Sequence, residues 1–468
     1  MKKYIYLIKN MGLLTISNFS SKLLSFLLVP LYTSVLTTED YGTYDIFNTT
    51  IMLLIPILTL GIIESVLRFP LEDRKRAVII YSIGLKHVVR GFIILVLFCG
   101  VNYLYCFSDL LFNYAPYFLL LYITAVISQM LQNFARGIER VSALAVSGVI
   151  SSFAVIVLNI LFLLYFKLAL IGYFLANILG MVFSIIYLVF ALGVWKYKIF
   201  EKADKELEKE MLTYSIPTIA NSISWWVNNA ADRYIIIGLF GLATNGIYSV
   251  SYKIPSIMNV FQTIFNQAWT ISAVQEFDRN DSNGFYRTVY SVTNFVMITV
   301  CTVLILLTKV LARILYKNQF YAAWQYVPYL LISILFGVLC GVLGGVYTAT
   351  KDSKKLGSST VIGAVINIIA GFVLSLIIGP MGAALGTLLS YVVVWIIRLW
   401  DVKKYMNLKI KLKRDIFSYA ILTIQSVELI YFKESFWLYM LQILFVAFIV
   451  LLYIDELKII IGKVRFKR

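Results

Sequence analysis

Residues 357–400 read GSSTVIGAVINIIAGFVLSLIIGPMGAALGTLLSYVVVWIIRLW. Two apolar runs, 357–378 and 382–400, flank the turn Gly379-Pro380-Met381. About 20 apolar residues at 1.5 Å each cross the hydrocarbon core of a bilayer, so each run is long enough to span it. The same alternation of apolar run and short turn recurs from end to end. It predicts about fourteen spans, near 11–36, 42–67, 79–105, 115–135, 142–165, 170–193, 212–238, 245–272, 288–312, 326–349, 357–378, 382–400, 415–432 and 437–457. The fold class expected is an all-α polytopic membrane protein.

Composition agrees. The 468 residues are 60% hydrophobic and only 14% charged, with a mean hydropathy of +0.85. A soluble domain does not have that balance. The net charge of +17 does not point to nucleic acid, because the basic residues fall in short loops between apolar runs. That distribution is a topology signal. Arg74-Lys75-Arg76, Arg136 with Arg140, Lys196 to Lys209, Lys351 with Lys354-Lys355, Lys403 to Arg414 and Lys458 to Arg468 all fall on one side. The opposite loops at 37–41, 106–114 and 379–381 carry no Lys or Arg. An even number of spans and this bias place both termini in the cytoplasm and the chain in the cytoplasmic membrane.

Several chemistries are excluded or disfavoured. The single histidine, His87, rules out a His-based metal centre. Cys99, Cys106, Cys301 and Cys340 show no metal-ligand spacing and read as small buried hydrophobes. No GxxxxGK[ST] motif provides a nucleotide site, and no cofactor is expected. The start MKKYIYLIKN runs into a polar-flecked helix without a small-residue cleavage site, so no cleavable signal peptide is expected. The loops are too short and too poor in acids and bases for a membrane enzyme.

The chain repeats itself. Tyr41-Gly42-Thr43-Tyr44 is echoed by Asn245-Gly246-Ile247-Tyr248. Gly172, Ala176 and Gly180 match Gly382, Gly386 and Ser390, with Asn159 and Asn367 in the spans just before. Six spans separate each pair. An even separation keeps both halves in the same orientation, a parallel repeat with a pseudo-two-fold axis along the membrane normal. The expected organisation is a six-helix lobe at 1–194, a cytoplasmic linker at 195–211 (WKYKIFEKADKELEKEM), a second six-helix lobe at 212–400, and two further helices with a basic tail at 401–468. The substrate site is expected where the halves meet.

Polar residues are arranged in stripes at helical spacing. Asn18, Ser21-Lys22 and Ser25 share a face of the first span. Tyr44-Asp45 and Asn48 share one of the second. Asn221, Ser224, Asn228 and Asp232 line the seventh, with Arg233 beside them. Tyr252, Ser256, Asn259 and Thr263 line the eighth, flanked by Lys253. Hydrogen bonds between helices would explain the Ser, Thr and Asn, at about 0.6 kcal/mol each. They do not explain the charges, because a charge at the bilayer centre costs about 2.5–3.5 kcal/mol on insertion scales. Lys22, Arg90, Arg233 and Lys253, with Asn18, Asn228 and Asn259, are therefore the candidate contacts to an anionic, hydroxyl-rich substrate. Asp45, Glu64 and Asp232 are the candidate ion-coupling residues. Arg68 and Lys86 read equally as interfacial anchors, with Glu64 as an ion-pair partner for Arg68.

The N-terminal run NFSSKLLSFLLVPLYTSVLTTEDYGTYD (18–45), the Gly61 to Arg68-Phe69 ending of the second span and the Ala231-Asp232-Arg233, Gly246-Ile247-Tyr248, Tyr252-Lys253 run resemble the polysaccharide-unit flippases. These belong to the multidrug/oligosaccharidyl-lipid/polysaccharide exporter superfamily. The resemblance implies two six-helix lobes around a cationic central cavity, two extra helices, and alternating access. It implies a cargo of undecaprenyl-pyrophosphate-linked sugar repeats moved to the outer leaflet for O-antigen, capsule or exopolysaccharide. Implied partners are membrane lipids, H⁺ or Na⁺ as a coupling ion, a polysaccharide polymerase and glycosyltransferases. Two alternatives stay open: a flippase of the peptidoglycan lipid precursor, and a cation-coupled exporter of small organic cations.

Overall fold

The computed structural model describes residues 26–197 and 204–465, which are helical with no strand among them. The helices are α1 (Val29–Val35), α2 (Thr38–Leu58), α3 (Ile62–Glu72), α4 (Ala77–Tyr105), α5 (Asp109–Gly137), α6 (Val141–Asn159), α7 (Ala169–Leu192) and α8 (Lys205–Ser251). They continue as α9 (Ser256–Gln275), α10 (Phe285–Leu315), α11 (Val327–Ala349), α12 (Ser353–Ile378), α13 (Met381–Val402), α14 (Leu412–Tyr431), α15 (Phe436–Leu452) and α16 (Ile454–Arg465). Among the described residues nine helices are long and apolar enough to cross a membrane, or ten when the bent pair α2–α3 is one span. The four other expected spans differ for local reasons. The first begins before the described residues. The eighth is interrupted at residues 252–255. The thirteenth carries Lys413, Arg414 and Asp415 in its first turn. The fourteenth is a helix of 17 residues.

The described residues form two compact units that divide between Trp226 and Val227. In the first, Thr37 and Asp40 form a reciprocal capping box that starts α2. The helix then bends by 59° into α3. The bend is built on Leu60 and Gly61, with φ of 54° and 66°. Gly61 also lies against α8, where an added Cβ would come 2.7 Å from the Ser215 carbonyl. The beginning of α8 joins this unit through hydrogen bonds at carbonyls. Ser65 donates to Met211 O at 2.7 Å, Ser215 to Leu60 O at 2.9 Å, and Trp226 Nε1 to Thr49 O at 2.8 Å.

In the second unit α8 turns at Gly241 (φ 83°), a left-handed residue that glycine adopts without a Cβ penalty. α11 is buried along nearly its whole length and forms the core of the unit. The last two spans dock by amides: Thr302 Oγ1 donates to Gln425 Oε1 at 2.8 Å, Gln425 Nε2 returns to Thr302 O at 3.1 Å, and Gln442 Nε2 donates to Gln425 O at 3.1 Å. In an apolar surrounding the reciprocal Thr302–Gln425 pair satisfies the polar atoms of the Gln425 amide.

The repeated small residues lie at a contact with the preceding segment in each unit, but on different atoms. In the first, α7 meets the preceding segment through Gly172 on Phe162 and Gly180 on Val155. In the second, α13 meets α12 through Gly382 on the Leu374–Ser375 backbone and Gly386 on Gly371. Asn159 and Asn367 are both buried. Asn159 Nδ2 donates to Val155 O at 2.7 Å, and Asn367 Nδ2 to Thr387 Oγ1 at 3.0 Å.

Candidate functional site

The polar stripe of α8 produces the most developed charged cluster. Asp232 is 3% exposed. Its Oδ2 accepts from Tyr248 OH at 2.7 Å and from Tyr252 OH at 2.6 Å. Its Oδ1 accepts from the Arg233 backbone N–H at 3.0 Å and lies 3.5 Å from the Arg233 guanidinium. Arg233 Nη1 donates to Asn229 O at 2.8 Å, and the guanidinium sits 4.9 Å from the Tyr252 ring centroid. The Arg233 side chain is 13% exposed. Carboxylate, guanidinium and two phenols therefore interlock, with each charge held by charge-assisted hydrogen bonds or a π face. The residues come together because Gly241 reverses the chain and returns Tyr248 and Tyr252 to Asp232. Tyr248 belongs to the echoed Asn245-Gly246-Ile247-Tyr248 motif, which is the sequence signal for it.

Lys253 lies in the turn between α8 and α9 rather than inside a continuous helix. Its backbone carbonyl accepts from Ser256 Oγ at 2.6 Å. Pro255, which has no N–H and fixes φ, explains the interruption. Asn228 Nδ2 reaches Thr360 O at 3.5 Å, and Asn259 is half-buried on α9. Asn18 and Lys22 lie outside the described residues.

A second cluster stands in the first unit. Lys86 Nζ binds Glu208 Oε2 at 2.7 Å, His87 Nε2 meets Glu208 Oε1 at 2.9 Å, and Arg90 Nη1 approaches Glu208 Oε1 at 3.4 Å. Lys86, His87 and Arg90 fall within two turns of α4, so they share the face that receives Glu208 from α8. The Arg90 side chain is 54% exposed. Lys86 is thus tied to the start of α8, where the sequence suggested an interfacial anchor. Asp45 is half-buried on α2 and Glu64 half-buried on α3. The expected Glu64–Arg68 pair is corrected: Arg68 bonds Glu72 at 2.6 Å. Both spacings are i, i+4, and the partner closer to the end of α3 is the one that leaves both charges at the surface.

Two groups escaped the sequence reading. Arg398 of α13 is 6% exposed and bonds neutral acceptors: Cys340 O at 2.8 Å, Ser359 Oγ at 3.0 Å, Thr360 Oγ1 at 3.0 Å and Leu356 O at 3.4 Å. Arg414 pairs with Asp415 at 3.2 Å and Glu456 at 2.7 Å, and stacks 3.9 Å from the Tyr453 ring centroid. Arg398 closes an apolar run beside Trp400, where a basic residue reads as an interfacial anchor.

Comparison with known proteins bears on both fold and family. No curated protein matches the chain. Among solved structures it is similar to the lipid II flippase MurJ in an inward closed conformation, with 18% identity, 96% of this chain and 98% of that one covered, and a TM-score of 0.71. It is also similar to a multidrug resistance MATE family transporter of the MOP superfamily in an inward-facing conformation, at 14% identity, 84% and 98% coverage and a TM-score of 0.68. A MOP superfamily transporter from Pyrococcus furiosus follows at 15% identity, 85% and 96% coverage and a TM-score of 0.59. At these identities the likeness is one of fold, an all-helical membrane fold of about fourteen spans. Residues 7–271 match the polysaccharide biosynthesis protein family. The matched stretch runs from the first span through the eighth and takes in the Asp232–Arg233–Tyr248–Tyr252 cluster, and the chain belongs to that family.

Proposed function

We propose that the protein is a flippase that moves a polyprenyl-pyrophosphate-linked oligosaccharide from the inner to the outer leaflet of the cytoplasmic membrane, by alternating access. Membership of the polysaccharide biosynthesis family carries this reading. The basic residues kept inside apolar spans support it independently. A pyrophosphate has at least two negative charges, and its passage through hydrocarbon without counter-charges is prohibitive. Lys22, Arg90, Arg233 and Lys253 are the proposed counter-charges, and Asn18, Asn228 and Asn259 the proposed sugar contacts. In this reading the Asp232–Tyr248–Tyr252 cage orients Arg233, and Arg90 keeps its exposed face for cargo while Glu208 holds Lys86 and His87. The polyprenyl tail stays in lipid. Both termini face the cytoplasm in this scheme, which the Lys and Arg distribution supports.

The test is export of surface polysaccharide from a deletion strain carrying Ala variants at Lys22, Arg233 and Lys253, singly and together. Export should fall while the amount of protein in the membrane stays level. Normal export by the triple variant would overturn the cationic-contact reading. Two other cargoes have specific support. The fold of the lipid II flippase favours a peptidoglycan precursor, and loss of viability rather than of surface polymer would identify it. The multidrug transporter fold favours small organic cations handled through Asp45, Glu64 and Asp232. Broad drug hypersensitivity of the deletion strain with normal polysaccharide would identify that one.

A further inference from the structure

Arg398 is a buried cation that no carboxylate pairs with among the described residues. Its donors end on two hydroxyls and two backbone carbonyls. Neutral acceptors satisfy the hydrogen bonds but leave the charge uncompensated, and an uncompensated buried charge is costly. Ser359, the acceptor of Nε, is also part of the wall of a cavity of about 550 Å³ at the end of the second unit, formed by α11, α12 and α13. Lys355, Ser358 and Lys404, with the Asp401 carboxylate beside Lys404, give this cavity a polar rim, and Ile362, Ile396 and Trp400 give it an apolar wall. Lys404 is held by Asp401 at 3.0 Å; the Lys355 ammonium makes no hydrogen bond or close ion pair among the described residues and acts on the Asp352 carboxylate only through its charge. Trp400 is 72% exposed. Lys351, Lys354 and Lys403 surround the same end of the helices.

We propose that this cavity binds an anionic phospholipid of the surrounding membrane. Its phosphate meets Lys355, Ser358 and Lys404, and its first acyl carbons lie on Ile362, Ile396 and Trp400. Arg398, one layer in behind Ser359, sets the sign of the headgroup the cavity accepts. The cavity is amphipathic, and a soluble anion would leave its apolar wall uncovered. Basic pockets between transmembrane helices at the cytoplasmic surface recognise lipid headgroups in this way, and tryptophan favours the same depth. The inference is independent of the cargo proposed above.

The full chain in nanodiscs of phosphatidylcholine with increasing phosphatidylglycerol bearing brominated acyl chains provides the test. Bromine quenches nearby tryptophan, and the signal lost on Trp400→Phe reports this cavity. The Trp400 component should be quenched more strongly by brominated phosphatidylglycerol than by the same mole fraction of brominated phosphatidylcholine. Lys355→Gln and Lys404→Gln should each raise the half-saturating phosphatidylglycerol fraction about fivefold, and together about twentyfold. Equal quenching by the neutral lipid, or wild-type binding by the double variant, would overturn the proposal. Displacement by millimolar inorganic phosphate would assign the cavity to soluble anions instead, and displacement by equimolar polyprenyl pyrophosphate would assign it to cargo; either result overturns the phospholipid assignment.

Discussion

Asp232 accepts from Tyr248, Tyr252 and the Arg233 backbone N–H and pairs with the Arg233 guanidinium, so its removal strands a half-buried cation and two buried phenols. Asp232→Ala should lower the stability of the detergent-solubilised protein by about 3 kcal/mol in chemical unfolding. Tyr252→Phe, which removes one of the two phenol donors, should cost about 1 kcal/mol. A loss below about 0.5 kcal/mol for Asp232→Ala would show that the cage is not a structural unit. The charges themselves were legible as residues out of place in apolar runs, and Asp232 and Arg233 stand together as their adjacency suggested. The phenols that hold them were only half legible. Tyr252 lies in the polar stripe of the eighth span, but nothing local ties Tyr248 to an acid sixteen positions earlier. Arg398 is not legible as a buried cation because its neighbours in sequence are apolar and aromatic, while its partners come from α11 and α12.

Small residues decide how the elements approach. Gly180 faces the tip of the Val155 side chain, whereas Gly386 faces the backbone of Gly371. A side chain can turn away and a backbone cannot, so Gly386→Ala should destabilise more, by about 2–3 kcal/mol against about 1 kcal/mol for Gly180→Ala. Similar losses at the two positions would contradict that difference in packing. The loop entering α12 offers a pH-dependent element. The Tyr405 hydroxyl and the Lys355 N–H hold the Asp352 carboxyl below the usual carboxylate range. A depressed pKa adds stability above the unfolded value near 4 and loses it as pH falls through the folded value. Thermal unfolding should therefore fall more between pH 5 and 3 for the wild type than for Asp352→Asn, with parallel curves counting against it. Outside α8 and α9, whose ends depart from the expected 212–238 and 245–272, helix ends from α4 to α15 lie within about six residues of those expected, because apolar length and turn residues are local signals. Pro56 and Pro255 mark candidate kinks in the sequence near the bend at Leu60–Gly61 and the interruption after Ser251. Pro56, Gly61 and Pro255 are visible in the sequence, but the direction of a bend is set by what packs on it, as Ser215 does on Gly61.

At the scale of the molecule, the proposed transport requires an energy source, and no nucleotide motif provides one. The acids Asp45, Glu64 and Asp232 make H⁺ or Na⁺ exchange the expected coupling. Proteoliposomes loaded with a labelled polyprenyl-linked sugar should transport faster under an imposed pH or Na⁺ gradient, and Asp45→Asn or Asp232→Asn should remove the acceleration. Equal rates with and without gradients would exclude a coupling role for all three. Mean hydropathy and span spacing determined by themselves that this is a polytopic helical membrane protein. These properties follow from transfer free energy and period, which are summed along the chain. Tertiary structure alone decided which charges are answered and by whom. Glu208 gathers Lys86, His87 and Arg90, two tyrosines enclose Asp232, and Arg398 is left with neutral acceptors. A charge inside a membrane protein is defined by the atoms that other helices bring to it, and those atoms are distant in sequence.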